Sequence, residues 1–133
     1  DFAKEQEFTF SGLGLVTDYS LPGQLIGHLV MGAQEVQQCA QELGISEEKS
    51  LLLQHMILSH HGEPEFGAAV RPMFLEAEIL SSLDTLDAKI YEIEQACRNV
   101  QPGEFTPRQW ALDNRKLYNH DRNHADFKAE LIK

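Results

Sequence analysis

The sequence predicts an all-α fold, and three observations carry that expectation. Apolar residues recur at spacings of three and four in three separate stretches, the period of a helix with one buried face. Serine, proline and glycine punctuate those stretches where helices start and stop. No segment shows the sustained apolar–polar alternation of a half-buried strand.

Taken in order, residues 7 to 20 contain Thr9, Gly12, Gly14, Thr17 and Tyr19 without a helical stripe, so they read as a loop with short extended pieces or a hairpin. Ser20-Leu21-Pro22 then supplies an N-cap and a first-turn proline for a helix over 22–43. Leu25, Leu29, Gly32, Val36, Cys39 and Leu43 form its expected buried stripe, and Gly44 ends it. Ser46-Glu47-Glu48 opens a second helix over 47–60, with acids at the positive end of its dipole, and Gly62 stops it. A loop leads to Pro72 and a third helix over 72–98, whose stripe of Ile79, Leu83, Leu86, Ile90, Ile93 and Cys97 reads as core. Pro102-Gly103 marks a connector. A short helix near Trp110 and a polar helix from about Asp121 close the chain.

At 133 residues the chain fits one domain, and 42% apolar residues can fill its core. No apolar run approaches the roughly 18 residues that span a bilayer, so a water-soluble protein is expected. Cys39 and Cys97 lack metal or redox spacing and are expected to pack in the core, which favours a reducing, cytoplasmic setting. A net charge of −10 argues against this chain alone gripping nucleic acid. It suits a carboxylate site neutralised by a cation, but solubility predicts the same charge.

Several residues able to do chemistry cluster on the predicted elements. His28 adjoins the stripe of the first helix, His60 and His61 sit together at the end of the second, and Asp84 and Asp87 flank the third. A bundle can converge such side chains on one point. Imidazole with carboxylate and no thiolate suits Mn, Fe, Co, Ni or Zn better than Ca or Mg. On a continuous helix, adjacent histidines point about 100° apart, so His60 and His61 suit two metals, or one metal and one substrate oxygen. Spacing alone leaves ordinary roles open: His28 as a satisfied core residue, the histidine pair as dipole partners, Asp84 and Asp87 as hydrogen-bond acceptors. His55 faces about 140° from His60 and falls outside any shared site. His120 and His124 read as surface residues.

These residues also resemble a family. Asp1-Phe2-Ala3-Lys4 is similar to the second half of the His-Asp-x-x-Lys motif of HD-domain phosphohydrolases. Gly27-His28, Leu58-Ser59-His60-His61-Gly62, and Ala77-Glu78-Ile79-Leu80 leading to Asp84 follow in that family's order. More narrowly, the run from Leu21 to Met31, the loop Glu65-Phe66-Gly67 and the segment from Leu83 to Lys89 resemble bacterial 3'-5' exoribonucleases of the YhaM type. So do Pro102-Gly103-Glu104-Phe105-Thr106 and Leu112-Asp113-Asn114-Arg115.

The resemblance implies a partial HD-like helical bundle over 1–118, begun inside its motif and without its first helices, then a polar helix or tail over 119–133. It implies Asp1, His28, His60, His61 and Asp84 as the metal set, with Asp84 also a catalytic carboxylate; Asp87 is left out. Lys4 resembles the lysine that faces substrate phosphate, and a solvated helix lysine is the plain alternative. It further implies Mn-like divalent metal and single-stranded RNA or DNA trimmed from its 3' end. Proteins of this type join an OB-fold to the HD domain. Neither the OB-fold nor the upstream histidines are in this sequence, so weak Mn binding and little hydrolysis are expected of it alone. Asp113, Asn114 and Arg115 are expected to clamp the tail, and Trp110 and Phe105 to anchor packing. Two other readings stay open: an HD phosphohydrolase acting on nucleotides or cyclic dinucleotides, and a non-catalytic helical interaction module. Self-association into a homo-oligomer is a further expectation, from apolar surface left uncovered.

Overall fold

The computed structural model describes residues 2–12 and 14–121. The elements run α1 (Phe2–Glu7), β1 (Phe8–Phe10), β2 (Val16–Tyr19), α2 (Leu21–Leu25), α3 (His28–Glu42), α4 (Glu47–Ser59) and α5 (Leu75–Arg98). Short 3-10 turns lie at Pro64–Phe66 and Trp110–Leu112. Helix dominates, as expected. The chain divides into two compact units after Asp84.

In the first unit, β1 and β2 form an antiparallel hairpin pairing Phe8 with Tyr19 and Thr9 with Asp18, with a register shift after Thr9. The Phe8 and Tyr19 rings meet at 5.0 Å. Ser20 then caps α2, its Oγ accepting from the Gly23 N–H at 3.0 Å. The same hydroxyl donates to the Gln6 carbonyl at 2.7 Å, which ties the start of α2 to the end of α1.

The single helix expected over 22–43 is two. Gly27 has φ 78 and ψ 155, a conformation that L side chains avoid, and it turns the chain between α2 and α3. The break makes His28 the first residue of a new helix. It also leaves Leu25 outside the core, and Leu43 and Cys39 are exposed too. The core at this end is built largely from small residues, with Ala3, Gly32, Ala33 and Ala40 buried beside Leu29. Gly32 lets α1 and α4 approach α3, since a Cβ there would lie 3.1 Å from Ile57 Cγ2 and 3.5 Å from Ala3 Cβ.

α5 begins at Leu75 rather than Pro72. Of its predicted core stripe only Cys97 is buried, whereas Ile79, Leu83, Leu86 and Ile90 remain about half exposed; the other buried positions of the helix, Ala77, Ser81 and Ala96, lie outside that stripe. The three-four period was right about which residues share a face and silent about whether anything covers it.

The second unit attaches an irregular hairpin to the end of α5. Asn119 Nδ2 donates to the carbonyls of Cys97 (3.1 Å) and Val100 (2.9 Å). Isolated bridges pair Phe105 with Tyr118 and Gln109 with Arg115. Trp110 and Phe105 do not anchor packing: both are exposed, and Leu112 and Thr106 are the residues this hairpin buries. The polar helix expected from about Asp121, and His124 within it, lie outside the described residues. None of the described helices is long and apolar enough to cross a membrane.

One glycine in the first unit is sterically required. A Cβ on Gly23 would collide with the Glu7 carbonyl, which already accepts the Ser20 N–H at 2.8 Å. Gly23→Ala is therefore expected to cost at least the roughly 1–3 kcal/mol typical of overpacking, read as a lowered midpoint in denaturant unfolding. An unchanged midpoint would mean that α1 and α2 do not pack this way.

Candidate metal centre

Three histidines converge. One nitrogen from each of His28, His60 and His61 lies within 4.8 Å of the others. The ring centroids of His60 and His61 are 4.4 Å apart, those of His28 and His61 5.1 Å, and those of His28 and His60 6.0 Å. The expectation that adjacent histidines must diverge assumed a continuous helix. α4 in fact ends at Ser59: His60 is its C-cap, and the chain turns through Gly62 at φ 77. Leaving the helix frees His61 from the 100° rule.

Each ring is held through Nδ1. His28 Nδ1 lies 3.1 Å from both carboxylate oxygens of Glu7, and its backbone N–H donates to Oε1 at 3.2 Å. The two side chains are 11% and 10% exposed, so water screens this contact little. His60 Nδ1 donates to the Ile57 carbonyl at 2.6 Å, inside the last turn of α4. His61 Nδ1 donates to the Phe66 carbonyl at 2.9 Å. That carbonyl is presented by the Pro64–Phe66 turn, which Gly67 closes at φ 95.

These three bonds set the tautomers. With Nδ1 donating, the lone pair of a neutral imidazole resides on Nε2, and carboxylate or carbonyl partners of this kind orient metal-ligating histidines generally. The Nε2 atoms of His28 and His61 face one another at 3.3 Å. Two lone pairs repel at that distance, so a positive charge belongs between them, either a proton or a metal ion. The spacing suits a metal: two nitrogens each about 2.1 Å from one ion stand about 3.0–3.4 Å apart. The all-nitrogen set fits a borderline divalent metal. His61 is held below the ordinary histidine pKa first by burial and next by His60, with a smaller lowering by His28. The Phe66 carbonyl and Asp84 pull the other way. A depressed pKa keeps the lone pair available for a metal.

The other expected residues fall less centrally. Asp84 is exposed on α5 and is not part of the three-histidine cluster, although its charge reaches His61. Lys4 is exposed on α1, and Asp87 is exposed on α5 beyond the boundary between the units. Asp1 lies outside the described residues. His55 is engaged elsewhere, its Nε2 accepting from the Met73 N–H at 3.1 Å and its ring 5.2 Å from Phe74. Glu7 was missed by the sequence reading. It stands 21 positions before His28, and no local spacing marks it as that residue's partner.

A mainly helical chain with converging imidazoles offers the kind of donor set that helical metal-binding proteins use. Comparison with known proteins sharpens this. The chain is 50% identical over 102 residues to the 3'-5' exoribonuclease YhaM of Bacillus licheniformis, an alignment spanning 77% of this chain and 32% of that protein. It is 49% identical over 102 residues to the protein of that name from Shouchella clausii, and 47% over 102 residues to that of Bacillus subtilis. The chain is thus a homologue of the YhaM proteins, and it spans about a third of the length of these relatives. No protein-family model matches it, and no solved structure does.

Glu7→Gln tests the site from outside the cluster. Loss of the carboxylate that orients His28 is expected to weaken Mn(II) binding by about 10–100-fold in calorimetric titration. Equal affinity would make Glu7 a structural tie between α1 and α3 and nothing more.

Proposed function

We propose that this chain carries the metal centre of a 3'-5' exoribonuclease and that its first unit is an HD-type helical fold. The observation that carries the proposal is the convergence of His28, His60 and His61, each with its Nδ1 already committed. The roughly 50% identity to proteins named as 3'-5' exoribonucleases supports the same reading. RNA is accordingly the substrate, and the metal is a divalent ion of the Mn, Fe, Co, Ni or Zn group that imidazole with carboxylate accommodates, with Mn the choice that the resemblance to the YhaM-type nucleases implies.

In this mechanism His28, His60 and His61 would hold the ion through Nε2, with Asp84 and Asp1 as further ligands by family resemblance. When bound, the ion would supply Lewis acidity toward the phosphate and acidify water near neutral pH. Asp84 lies close enough to act on His61 electrostatically, and as an exposed carboxylate it accepts the proton lost by the attacking water. Lys4 offsets charge on a non-bridging phosphate oxygen, while Glu7, Ile57 and Phe66 keep the three rings from turning. Fixed rings spare reorganisation at the moment of reaction.

The experiment uses the native gene product and a 5'-labelled single-stranded RNA, with metal content followed by mass spectrometry. His60→Ala and Asp84→Ala are each expected to lower Mn-dependent shortening from the 3' end by at least about a hundredfold, the upper end of the cost of losing an outer partner. Lys4→Ala should lower turnover with metal content intact. His55→Ala should cost about 0.5–1.5 kcal/mol of stability through its lost hydrogen bond and leave activity per folded molecule unchanged. Full activity and metal content in both His60→Ala and Asp84→Ala would refute the assignment.

A further inference from the structure

The hairpin of the second unit leaves its largest side chain in solvent. Trp110 is 91% exposed, while Leu112, two residues on, is 1% exposed. Isolated exposed apolar residues are ordinary, but this one sits on a built support. The Thr106 N–H donates to the Leu117 carbonyl at 2.8 Å, and the Gln109 N–H to the Arg115 carbonyl at 2.9 Å. The Leu117 N–H returns to Thr106 Oγ1 at 3.0 Å. At the tip, Asp113 and Asn114 both adopt φ 55, the left-handed conformation that Asp and Asn tolerate best among non-glycine residues and that tight hairpin turns use. These hydrogen bonds and this turn define the tip, and Trp110 stands in solvent on it.

Charge around the tip runs against the rest of the molecule. In a chain of net charge −10, the segment from Phe105 to Tyr118 carries Arg108, Arg115 and Lys116 against a single carboxylate, Asp113. All three cations are exposed. Arg108 Nη1 donates to the Asn114 carbonyl at 2.9 Å, which fixes one guanidinium across the neck of the turn. Phe105 and Tyr118 form an exposed aromatic pair on the same hairpin, ring centroids 5.1 Å apart.

Aromatic faces interleaved with cations match single-stranded nucleic acid: every base has a face to stack, and every linkage has a phosphate to neutralise. We propose that this hairpin is a docking platform for single-stranded RNA, with a base stacked on Trp110 and the backbone held by Arg108, Arg115 and Lys116. The choice of RNA over a protein partner rests on the cationic surround and on the exoribonuclease reading. The stacking itself does not require the histidine centre.

Trp110 is the only tryptophan of the chain, so it reports its own contact. Titration with short oligoadenylate in EDTA, which silences any metal chemistry, is expected to quench its fluorescence. With a fluorescein-labelled oligoadenylate read by anisotropy, Trp110→Ala should weaken binding at least about fivefold, the lower end of the cost of losing one stacked base. Trp110→Phe should recover part of that loss. Arg115→Ala and Lys116→Ala should each flatten the salt dependence by about 0.7 in log–log slope. Hydrolysis of bis-(p-nitrophenyl) phosphate should be unaffected by Trp110→Ala, which separates docking from chemistry. Quenching without any Mn-dependent hydrolysis would uphold the platform and sink the nuclease reading. Three results would overturn the platform: no quenching, equal quenching by base-free polyphosphate, or Trp110 buried instead in a concentration-dependent dimer.

Discussion

The contact between Glu7 and His28 is the constraint on which the first unit depends. One buried carboxylate receives both the backbone N–H and the Nδ1 side of His28, so the last residue of α1 sets both where α3 begins and how its first ring turns. The neighbouring details serve the same junction. Ser20 ties to Gln6, Gly23 rests against the Glu7 carbonyl, and Gly27 swings the chain so that a helix can restart at His28. Burying a carboxylate is costly unless it is paired and hydrogen-bonded, and here the pairing partner is itself a metal-ligand candidate. Stability and site geometry therefore reside in the same few atoms.

The second feature is that α4 stops in time. Had the helix continued through His61, the two rings would have projected about 100° apart and one would have been lost to the cluster. Ending at Ser59 lets His60 keep an intrahelical partner, the Ile57 carbonyl, while His61 finds a new one at Phe66. Each ring is then oriented by backbone, which cannot rotate away as a side-chain partner can. The lowered pKa of His61 follows from the same crowding: burial and a second imidazole both disfavour its charged form.

Ala3, Gly32, Ala33 and Ala40 let helices approach, and these positions make little apolar area each. The larger residues Ile79, Leu83, Leu86 and Ile90 remain about half exposed on one face of α5. Their period was legible; their burial was not, because periodicity reports which residues share a face and a face becomes core only when another element covers it.

Local chemistry made much of this protein readable from sequence. Ser20 and Ser46 mark helix starts, Gly44 and Gly62 mark helix ends, and the predominance of helix follows from the three-four spacing. The choice of His28, His60 and His61 as candidates needed only their residue types and the elements that bear them. What sequence could not supply was non-local. Glu7 meets His28 across 21 residues, the tautomers depend on carbonyls at Ile57 and Phe66, and the break at Gly27 interrupts an apolar stripe that reads as continuous. Trp110, expected to anchor packing, stands in solvent, and Leu112, two residues on in the same hairpin, is buried instead. Caps, periods and residue types act within a few positions along the chain, and the sequence determined those. Which imidazole nitrogen faces which, and which large side chain is left outside, depend on contacts between distant segments, and only the tertiary structure decided them.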